Sequence, residues 1–391
     1  MLRVVTLSTL FPDEHRPNFG VFVERSVGAL AAMPDTQVTV VAGVGVPPWP
    51  LSLAPRYWAP TRLPAREAWH GLEVRRPRFT VLPGTGGRWH VPALVRAVRP
   101  VFDELWAGQR FDVIDASFFF PDGPAAVALG KRYGVPVSIK ARGADIHHWG
   151  HASATRAQVL AAGRAADGLL AVGDALKADM VALGMPGGRI GVHRTGVDAA
   201  RFHPRDRAAA KAALGLSGPV LLSLGALIPR KGHHIAIEAL AALPDATLLI
   251  AGEGPERAAL VSLAARLGVA SRVRLLGSVA HDDLPALIAA ADAMTLASSS
   301  EGLANAWIES LACGTPIVVT DAGSAREVVT SAAAGRIAAR HPAAFAAAIR
   351  ALLADPPSRE AVAATAAGYS WTANGAGLRD HLARLVQAPS G

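Results

Sequence analysis

Apolar runs without polar residues at alternate positions recur along the whole chain, and they constrain its fold most. Strands of this kind are buried on both faces, as in parallel sheets that are covered by helices. Ala- and Leu-rich stretches with helical spacing, such as HHIAIEALAAL and PERAALVSLAARLG, lie between them. The alternation predicts an α/β fold of doubly wound sheets. The predicted strands are LRVVTLSTL, TQVTVVAGV, FDVIDASFFF, VPVSIKAR, GLLAVG, PVLLSLGAL, ATLLIAGEG, RVRLLGS, DAMTLASS and PIVVTDAG.

The length of 391 residues predicts at least two domains. The periodic pattern stops in TGVDAARFHPRDRAAAKAALGLSGP and a fresh strand follows. Two sheets joined by a linker predict a cleft at the carboxyl ends of their strands, which is the usual ligand site in this architecture. The predicted parts are an N-terminal Rossmann-like domain (1–195), a linker (196–216), a C-terminal Rossmann-like domain (217–370) and a C-terminal helix that packs back toward the first domain (371–391).

Composition predicts a cytoplasmic protein. The chain contains no apolar run of about 18 residues, so no transmembrane helix is expected. The first residues, MLRVVTLSTLFPDE, lack a small-residue cleavage site and are interpreted as a buried strand rather than a signal peptide. Cys313 is the one cysteine, so no intrachain disulfide can form.

The positive charge is concentrated in the first half of the chain. The formal net charge is +8. Residues 1–195 hold 22 Lys and Arg against 15 Asp and Glu, a net charge of +7, and the remaining residues hold 17 against 16, a net charge of +1. This asymmetry indicates an anionic partner for the first half: a membrane, a nucleic acid or a phosphorylated substrate. The alternative is the arginine-rich composition of the genome.

The stretch SSSEGLANAWIESLACG places Glu301 and Glu309 with seven residues between them. Glu301 follows a predicted strand and Glu309 lies in the next helix, about 12 Å further on at ~1.5 Å per residue. The two carboxylates therefore cannot share a metal ion or act as a close acid/base pair. They can bind the two hydroxyl-bearing ends of a ligand with phosphates between them, such as a nucleotide sugar. The alternative is two unrelated solvated glutamates.

Backbone groups near these acids suit a phosphate. Gly302 allows a close approach to a ligand, and the N–H groups of Leu303 and Ala304 lie at the predicted helix start.

Two further loops follow strands of the second half. Arg230 and Lys231 lie after the strand that ends near Gly225, where adjacent cations can bind a diphosphate or remain solvated. Gly252 and Gly254 form a strand-end turn, which is either a tight connection or a segment that passes under a base.

Together these features resemble family 4 glycosyltransferases of the GT-B fold, in which two doubly wound Rossmann-like domains face each other across a cleft. The resemblance extends over nearly the whole chain and is strongest from about 190 to 330. It implies transfer of a sugar from a nucleotide sugar with retained anomeric configuration and no metal cofactor. The segments that carry it are Gly196-Val197-Asp198, Arg230-Lys231-Gly232, the turn Gly252–Pro255 and the pair Glu301–Glu309.

The resemblance also implies roles for individual residues. Glu301 would lie by the hydroxyls of the donor sugar and Glu309 would hold the ribose. Lys231, assisted by Arg230, would neutralise the departing diphosphate. The amides of Gly302, Leu303 and Ala304 would bind phosphate too. Gly20, in the first strand-to-helix loop, would lie against the donor phosphate or the acceptor unless it serves an ordinary turn.

The sequence departs from the family pattern at two places. Ala226 stands where many members have Arg. In KARGADIHHWGH, Arg142 stands where many have His, while Asp145 is kept. Lys140, Arg142 and Asp145, with His147 nearby, are predicted to contact the acceptor or a phosphate. The three histidines of this segment have the spacing of neither a zinc finger nor HExxH, so no metal is expected.

Residues 47–90 are rich in arginine and tryptophan, with seven Arg and four of the eight Trp of the chain. This mixture suits a membrane interface or a lipid-linked phosphate acceptor. A locally packed loop and single-stranded nucleic acid are the alternatives, and no nucleic-acid-binding motif accompanies the stretch. Reversible contact with anionic membrane is predicted here, with Arg75, Arg76 and Arg78 as the contributing cations.

The leading interpretation is a retaining, metal-independent hexosyltransferase. The opening FPDEHRPNFGVFVER is similar to members that build bacterial surface polysaccharides, including teichuronic-acid-type enzymes. The expected partners are a nucleotide sugar and a glycan or lipid-linked acceptor, but no nucleic acid, and the expected location is the cytoplasm or the inner face of the cytoplasmic membrane. The alternatives are a nucleotide-sugar epimerase or hydrolase and a non-catalytic nucleotide-sugar-binding protein of the same fold.

Overall fold

The computed structural model describes residues 1–388, except for the side chain of Arg56, and consists of two compact units. One unit contains Met1–Gly196 together with the C-terminal helix (Trp371–Gln387), and the other contains Val197–Ser370. The segment predicted as a linker at 196–216 falls almost wholly in the second unit. It includes a helix, Arg207–Ala213, that packs on that unit.

The first unit is built on a mostly parallel sheet. Within the described residues its eight strands have the order β10-β9-β8-β7-β1-β2-β5-β4, with β4 antiparallel to β5, and β3 pairs with β6 separately. The strand order reverses between β1 and β7. The strands are β1 (Leu2–Leu7), β2 (Thr36–Val41), β3 (Val44–Val46), β4 (Arg66–Trp69), β5 (Leu72–Arg75), β6 (Arg78–Thr80), β7 (Val113–Ala116), β8 (Val137–Ala141), β9 (Gly168–Ala171) and β10 (Ile190–Val192).

Helices connect these strands because parallel neighbours require crossover connections. They are α1 (Val21–Ala31), α2 (Trp58–Arg62), α3 (His90–Gly108), α4 (Asp122–Tyr133), α5 (Arg156–Ala165) and α6 (Asp174–Ala182).

The second unit is a six-stranded parallel sheet with the order β13-β12-β11-β14-β15-β16 within residues 1–388. This is the strand order of dinucleotide-binding domains, and it reverses between β11 and β14, where such sheets bind ligands. Its strands are β11 (Val220–Leu224), β12 (Thr247–Ala251), β13 (Val273–Gly277), β14 (Ala293–Leu296), β15 (Ile317–Thr320) and β16 (Gly335–Ala338). Its helices are α7 (Arg207–Ala213), α8 (His233–Leu240), α9 (Arg257–Arg266), α10 (Leu284–Ala290), α11 (Asn305–Ala312), α12 (Ala325–Val328), α13 (Pro342–Ala354) and α14 (Arg359–Ala364).

The ten strands predicted from apolar runs are all present, and the predicted α/β class is confirmed. The structure adds short strands that the pattern did not indicate, among them β4, β5 and β6 within the stretch 47–90. No helix in the described part of the chain is long and apolar enough to cross a membrane.

The C-terminal helix packs against α1 of the first unit. A Cβ atom on Gly375 would lie 2.4 Å from the carbonyl oxygen of Ala29, so the glycine allows the close approach of the two helices. The buried side chain of Asn374 accepts a hydrogen bond from Ser26 Oγ at 2.8 Å and donates one to the carbonyl oxygen of Arg194 at 2.6 Å. These contacts fix the rotation of the helix on the unit.

Asn374→Ala should lower the free energy of unfolding of the first unit by about 2–3 kcal/mol, because buried partners lose their hydrogen bonds. Urea denaturation followed by circular dichroism measures the change. Thr372→Ala, at an exposed position of the same helix, is the control and should not lower the unfolding free energy. Equal unfolding midpoints for the two variants would contradict this account.

Candidate active site

Two loops meet at the strand-order reversal of the second unit, one after β11 and one after β14. The backbone N–H of Ser299 donates to the carbonyl oxygen of Arg230 at 2.8 Å. Gly232 has a φ of +69°, and a Cβ there would lie 2.1 Å from the carbonyl oxygen of Ala297. The glycine therefore allows the loops to contact each other, and their side chains converge.

Three predicted catalytic residues form one ionic cluster in these loops. Lys231 Nζ lies 2.5 Å from Oε1 of Glu301, and Ser298 Oγ donates to the same oxygen at 2.6 Å. Arg230 Nη1 lies 3.5 Å from Glu301 Oε2 and donates to the carbonyl oxygen of Ser300 at 2.5 Å. Only 7% of Glu301 is exposed. Two cations beside one carboxylate leave an excess positive charge at the carboxyl ends of the strands.

The predicted donor-binding glycines serve the packing of the loops themselves. A Cβ on Gly252 would lie 1.8 Å from the carbonyl oxygen of Gly225, and one on Gly254 would lie 2.4 Å from that of Leu227. Gly225 has a φ of +145°, and its Cβ position is 3.5 Å from the side chain of Lys231. These residues shape the walls around the cluster, and their contact with a donor stays a prediction.

Helix α11 begins at Asn305, two residues later than predicted, because Ala304 has extended backbone angles (φ −76°, ψ 118°). The N–H groups of Leu303 and Ala304 have no hydrogen-bond acceptor in the described residues. The carbonyl oxygen of Gly302 accepts from the N–H of Ser324 at 2.9 Å, which fixes the loop after β14. The amides therefore remain available beside the ionic cluster.

Glu309 is not part of this cluster. Its Oε1 lies 2.8 Å from Nε2 of His281, whose Nδ1 accepts from Arg201 Nη2 at 3.3 Å. The ring of Phe202 contacts His281 edge-on, with 5.2 Å between the centroids. Glu309 Oε2 has no hydrogen-bond partner within the residues described. Sequence reasoning missed His281, although it follows β13 in the loop SVAHDD of the same sheet.

His233 stabilises the loop that carries Arg230 and Lys231 through hydrogen bonds to its preceding residues. It is fully buried, its Nδ1 accepts from Ser223 Oγ at 2.9 Å and its Nε2 donates to the carbonyl oxygen of Ala226 at 3.2 Å. Burial, with a smaller effect of the Lys231 charge, lowers the pKa of His233 to about 4. The neutral ring therefore fixes the loop at the position where Ala226 departs from the family pattern.

In the first unit, the structure corrects the role predicted for Asp145. Its carboxylate is fully buried and accepts hydrogen bonds from the backbone N–H groups of Phe119, Arg142, Gly143 and Ile146, at 2.8 to 3.2 Å. Because four backbone groups donate to this carboxylate, it stabilises its own loop and has no oxygen available to bind an acceptor substrate.

Lys140 is also not presented to a ligand. It is 2% exposed, and its Nζ lies 2.6 Å from Nδ1 of His193. The other ring nitrogen, Nε2, donates to the carbonyl oxygen of Asn374 at 2.8 Å. Burial lowers the pKa of both Lys140 and His193. Lys140 therefore belongs to the network that holds the C-terminal helix.

Arg142 remains a candidate contact for an anion. Its Nε donates to the carbonyl oxygen of Ser117 at 2.6 Å, and its guanidinium lies 4.9 Å from the ring centroid of Phe22. Burial lowers the pKa of Arg142 to about 10, so the side chain is charged at neutral pH. Its Nη2 is buried and has no hydrogen-bond partner among residues 1–388.

The other two predicted acceptor-side residues have local partners. His147 lies in a π-helical turn, with Nε2 2.8 Å from Oδ2 of Asp179. Gly20 has a φ of +73°, and a Cβ there would lie 2.6 Å from the carbonyl oxygen of Leu10. The geometry of the turn before α1 therefore requires a glycine whether or not a ligand binds there. No group of three His, Cys, Asp or Glu side chains that could hold a metal ion occurs in the described residues.

The arginines predicted to contact membrane are bound within the first unit instead. Arg76 is 2% exposed and forms an ion pair with Glu67. Arg75 binds Glu73 and Glu104. Arg78 donates to the carbonyl oxygens of Thr61 and Leu63. These side chains hold the strands around β5, and sequence reasoning did not indicate these contacts because it did not predict the strands that bring the partners together.

Asp122 is a buried acid that the sequence did not indicate. Its Oδ2 accepts from the N–H of Thr9 at 2.9 Å, at the strand-order reversal of the first unit. Burial raises the pKa of Asp122 to about 8. The side chain is therefore mostly protonated at pH 7 in the folded protein.

The raised pKa of Asp122 predicts a pH effect on stability. The unfolded chain releases this proton near pH 3.8, while the folded protein holds it up to about pH 8. The contribution to the unfolding free energy is therefore fully present below pH 4 and is lost as pH rises to 8. Relative to isosteric Asp122→Asn, wild type should become steadily less stable over that interval in urea titrations. A constant difference between the two proteins would contradict the assignment.

Comparisons with known proteins agree with this geometry. The family described as "Glycosyltransferase Family 4" matches residues 20–201, and "Glycosyl transferases group 1" matches residues 204–368. Among solved structures, the sucrose-phosphate synthase of Thermosynechococcus elongatus has a TM-score of 0.82 at 22% identity, covering 100% of both chains. HepE of Anabaena in complex with UDP has a TM-score of 0.76 at 19% identity, covering 98% of this chain and 100% of that one. The fold is GT-B.

Curated relatives agree as well. The D-inositol 3-phosphate glycosyltransferase of Mycolicibacterium gilvum is 36% identical over 215 residues, which are 50% of this chain and 48% of that protein. The chain spans about half the length of the curated relatives it matches. The two family matches cover both units, and the chain belongs to the family 4, or group 1, glycosyltransferases. The resemblance predicted from the motifs is thereby confirmed.

Proposed function

We propose that this protein is a retaining glycosyltransferase that moves a hexose from a nucleotide-sugar donor to a glycan or lipid-linked acceptor. The observation that carries the proposal is the cluster of Lys231, Arg230 and Glu301 at the strand-order reversal of the second unit. In a chain of this family, a cluster with one excess positive charge suits a diphosphate leaving group.

Each part of the site has a role in this proposal. Lys231 and Arg230 bind the diphosphate, together with the available amides of Leu303 and Ala304. The ion pair with Lys231 orients Glu301, which accepts hydrogen bonds from hydroxyls of the donor sugar. Glu309 lies outside this cluster. Its unpaired oxygen accepts a hydrogen bond from a ribose hydroxyl, while its other oxygen is hydrogen-bonded to His281.

The chemistry requires stabilisation of charge on the departing diphosphate. The bond between the anomeric carbon and the diphosphate oxygen breaks, and its electrons remain on the diphosphate. The oxygen of the acceptor hydroxyl bonds to the anomeric carbon on the same face, which retains the configuration, and its proton passes to the leaving phosphate. Fixed cations lower the barrier because this charge is larger in the transition state than in the bound donor.

Solved structures suggest the first donor to examine. HepE has been crystallised with UDP and with UDP-glucose. UDP-glucose is therefore the first of a panel of nucleotide sugars, with free nucleotide as the product measured, with and without a lipid extract. Release of nucleotide that requires an acceptor supports transfer. Isomerisation of the sugar without nucleotide release would indicate the epimerase alternative instead.

We place the acceptor in bacterial cell-surface polysaccharide or glycolipid synthesis, with reversible contact at the inner face of the cytoplasmic membrane. Support comes from the similarity to WaaG, a glycosyltransferase involved in lipopolysaccharide biosynthesis, at a TM-score of 0.70 and 17% identity. The curated relatives make inositol 3-phosphate a necessary member of the acceptor panel. Arg142, with its unpaired Nη2, is the residue proposed to contact an acceptor phosphate.

Lys231→Ala should lower turnover by about 100-fold or more and affect donor affinity less, because the lysine acts on charge that develops in the transition state. Steady-state kinetics over a range of nucleotide-sugar concentrations, up to saturation, measures the two effects separately. Arg266→Ala removes an exposed cation of the same unit and is the matched control. Turnover of the Lys231 variant close to that of the control would show that the diphosphate is stabilised elsewhere.

Glu309→Ala should weaken binding of the free nucleotide and of the nucleotide sugar by the same factor, because both contain the ribose. Loss of a hydrogen bond to a charged group costs about 1.5–3 kcal/mol, or roughly ten- to hundredfold in affinity. His281→Ala should produce a smaller loss of the same kind. Calorimetry measures both, with Glu360→Ala as the control at an exposed glutamate. An unchanged nucleotide affinity in folded Glu309→Ala would refute the ribose role.

A further inference from the structure

Residues 48–62, which we call the apolar loop, join β3 to β4 and display four large apolar side chains. Trp49, Leu51, Leu53 and Trp58 are 78%, 50%, 60% and 52% exposed. Trp49 is the most exposed large apolar side chain of the described residues. Single exposed apolar residues are common on soluble proteins, but four within ten positions form a patch that indicates an interaction site.

The apolar loop is folded while it exposes these side chains. Leu51–Leu53 and Pro55–Tyr57 form 3₁₀ turns, and α2 follows directly. Trp58 Nε1 donates to the carbonyl oxygen of Leu53 at 2.9 Å, and Thr61 Oγ1 donates to that of Trp58 at 2.9 Å. Local turns satisfy backbone groups that would otherwise oppose transfer into an apolar phase. The loop can therefore enter such a phase without unfolding.

The charge of the apolar loop favours an anionic partner. Its sequence, PWPLSLAPRYWAPTR, contains two arginines and no acid, and the next acid in the chain is Glu67. The guanidinium of Arg62 lies 6.0 Å from the ring centroid of Trp58. Tryptophan favours the headgroup zone of a bilayer, and arginine is attracted to anionic lipids. Leucine, tryptophan and arginine together fit the interface of an anionic bilayer.

A groove continues this surface beyond the apolar loop. It has a volume of about 630 Å³, lies between β6 and α3, and is lined mainly by apolar side chains, including the half-exposed Trp89. Arg96 lines the groove too, and its side chain has no ion-pair or hydrogen-bond partner within residues 1–388. The hydrogen bonds from Arg78, which lines the groove, to the carbonyl oxygens of Thr61 and Leu63 connect it to the end of the apolar loop.

We propose that the apolar loop docks the first unit on anionic bilayers by inserting Trp49, Leu51 and Leu53 into the headgroup zone. The inference deepens the proposed function and rests on it to the extent that a lipid-linked acceptor is presented at that surface. It differs from the sequence prediction in the residues that act: Arg75 and Arg76, which are paired with acids of the first unit, have no part in it.

The test uses the full chain and vesicles of phosphatidylcholine with or without phosphatidylglycerol, at low and high salt. Wild type should co-sediment with the anionic vesicles and less so at high salt. The triple variant Trp49→Ser, Leu51→Ser, Leu53→Ser should lower the ratio of bound to free protein by about tenfold or more, equivalent to about 1.4 kcal/mol. It leaves Trp58 in place, so the hydrogen bond from its ring to residue 53 is retained.

A matched control removes exposed apolar side chains elsewhere. Val181, Val261 and Leu267 are 45%, 50% and 38% exposed. Their triple serine variant should bind anionic vesicles as wild type does. Equal binding by the loop variant and wild type, or no preference of wild type for anionic vesicles, would overturn the proposal. If wild type is oligomeric and does not bind vesicles, while the loop variant is monomeric, a second copy of the chain covers the patch. That result would also overturn the proposal.

The two proposals fail in different measurements. If the protein is not a glycosyltransferase, no nucleotide sugar yields free nucleotide, while vesicle binding is unaffected. If the apolar loop does not dock, vesicle binding is absent or insensitive to the loop variant, while nucleotide affinity is unaffected. The loop variant should therefore bind UDP as wild type does, which also reports that its second unit is folded.

Discussion

The ion pair between Lys231 and Glu301 is the interaction on which the candidate site depends. The two residues are 70 positions apart, and they meet because β11 and β14 are neighbours in the sheet. A buried carboxylate needs a partner to remain ionised, and a lysine beside it needs counter-charge. Each side chain therefore holds the other in place, and Arg230 and the nearby amides lie beside the pair in a defined geometry.

Close backbone packing between the strand-end loops, at positions that have no room for a side chain, fixes the position of this pair. Gly232, Gly252 and Gly254 each lie where a Cβ would meet a carbonyl oxygen of a neighbouring loop. The strand-end loops therefore pack backbone against backbone, and the charged side chains project from a nearly rigid base. His233 contributes to the same base as a neutral hydrogen-bonding ring.

The sequence predicted the parts of the molecule that local pattern determines. Ten strands followed from apolar runs, and the positions of Lys231 and Glu301 in loops after strands of the second half followed from the same pattern. What it missed depends on burial and hydrogen-bond geometry: Asp145 and Arg76 look like ligand contacts until their partners in the folded chain are known. The hairpin of β4 and β5 was missed because its turn, His70-Gly71, with φ of +46° and +84°, lies among prolines that suggest irregular structure.

The placement of the C-terminal helix has a consequence for synthesis. The first unit begins at the N-terminus, yet one of its helices is the last element of the described chain, so the second unit is inserted within the first. On the ribosome, the whole of the second unit emerges before the first can be completed. Until then α1 lacks its partner, and the network of Lys140 and His193 lacks Asn374. The growing chain therefore carries an N-terminal half that lacks its last helix through most of translation.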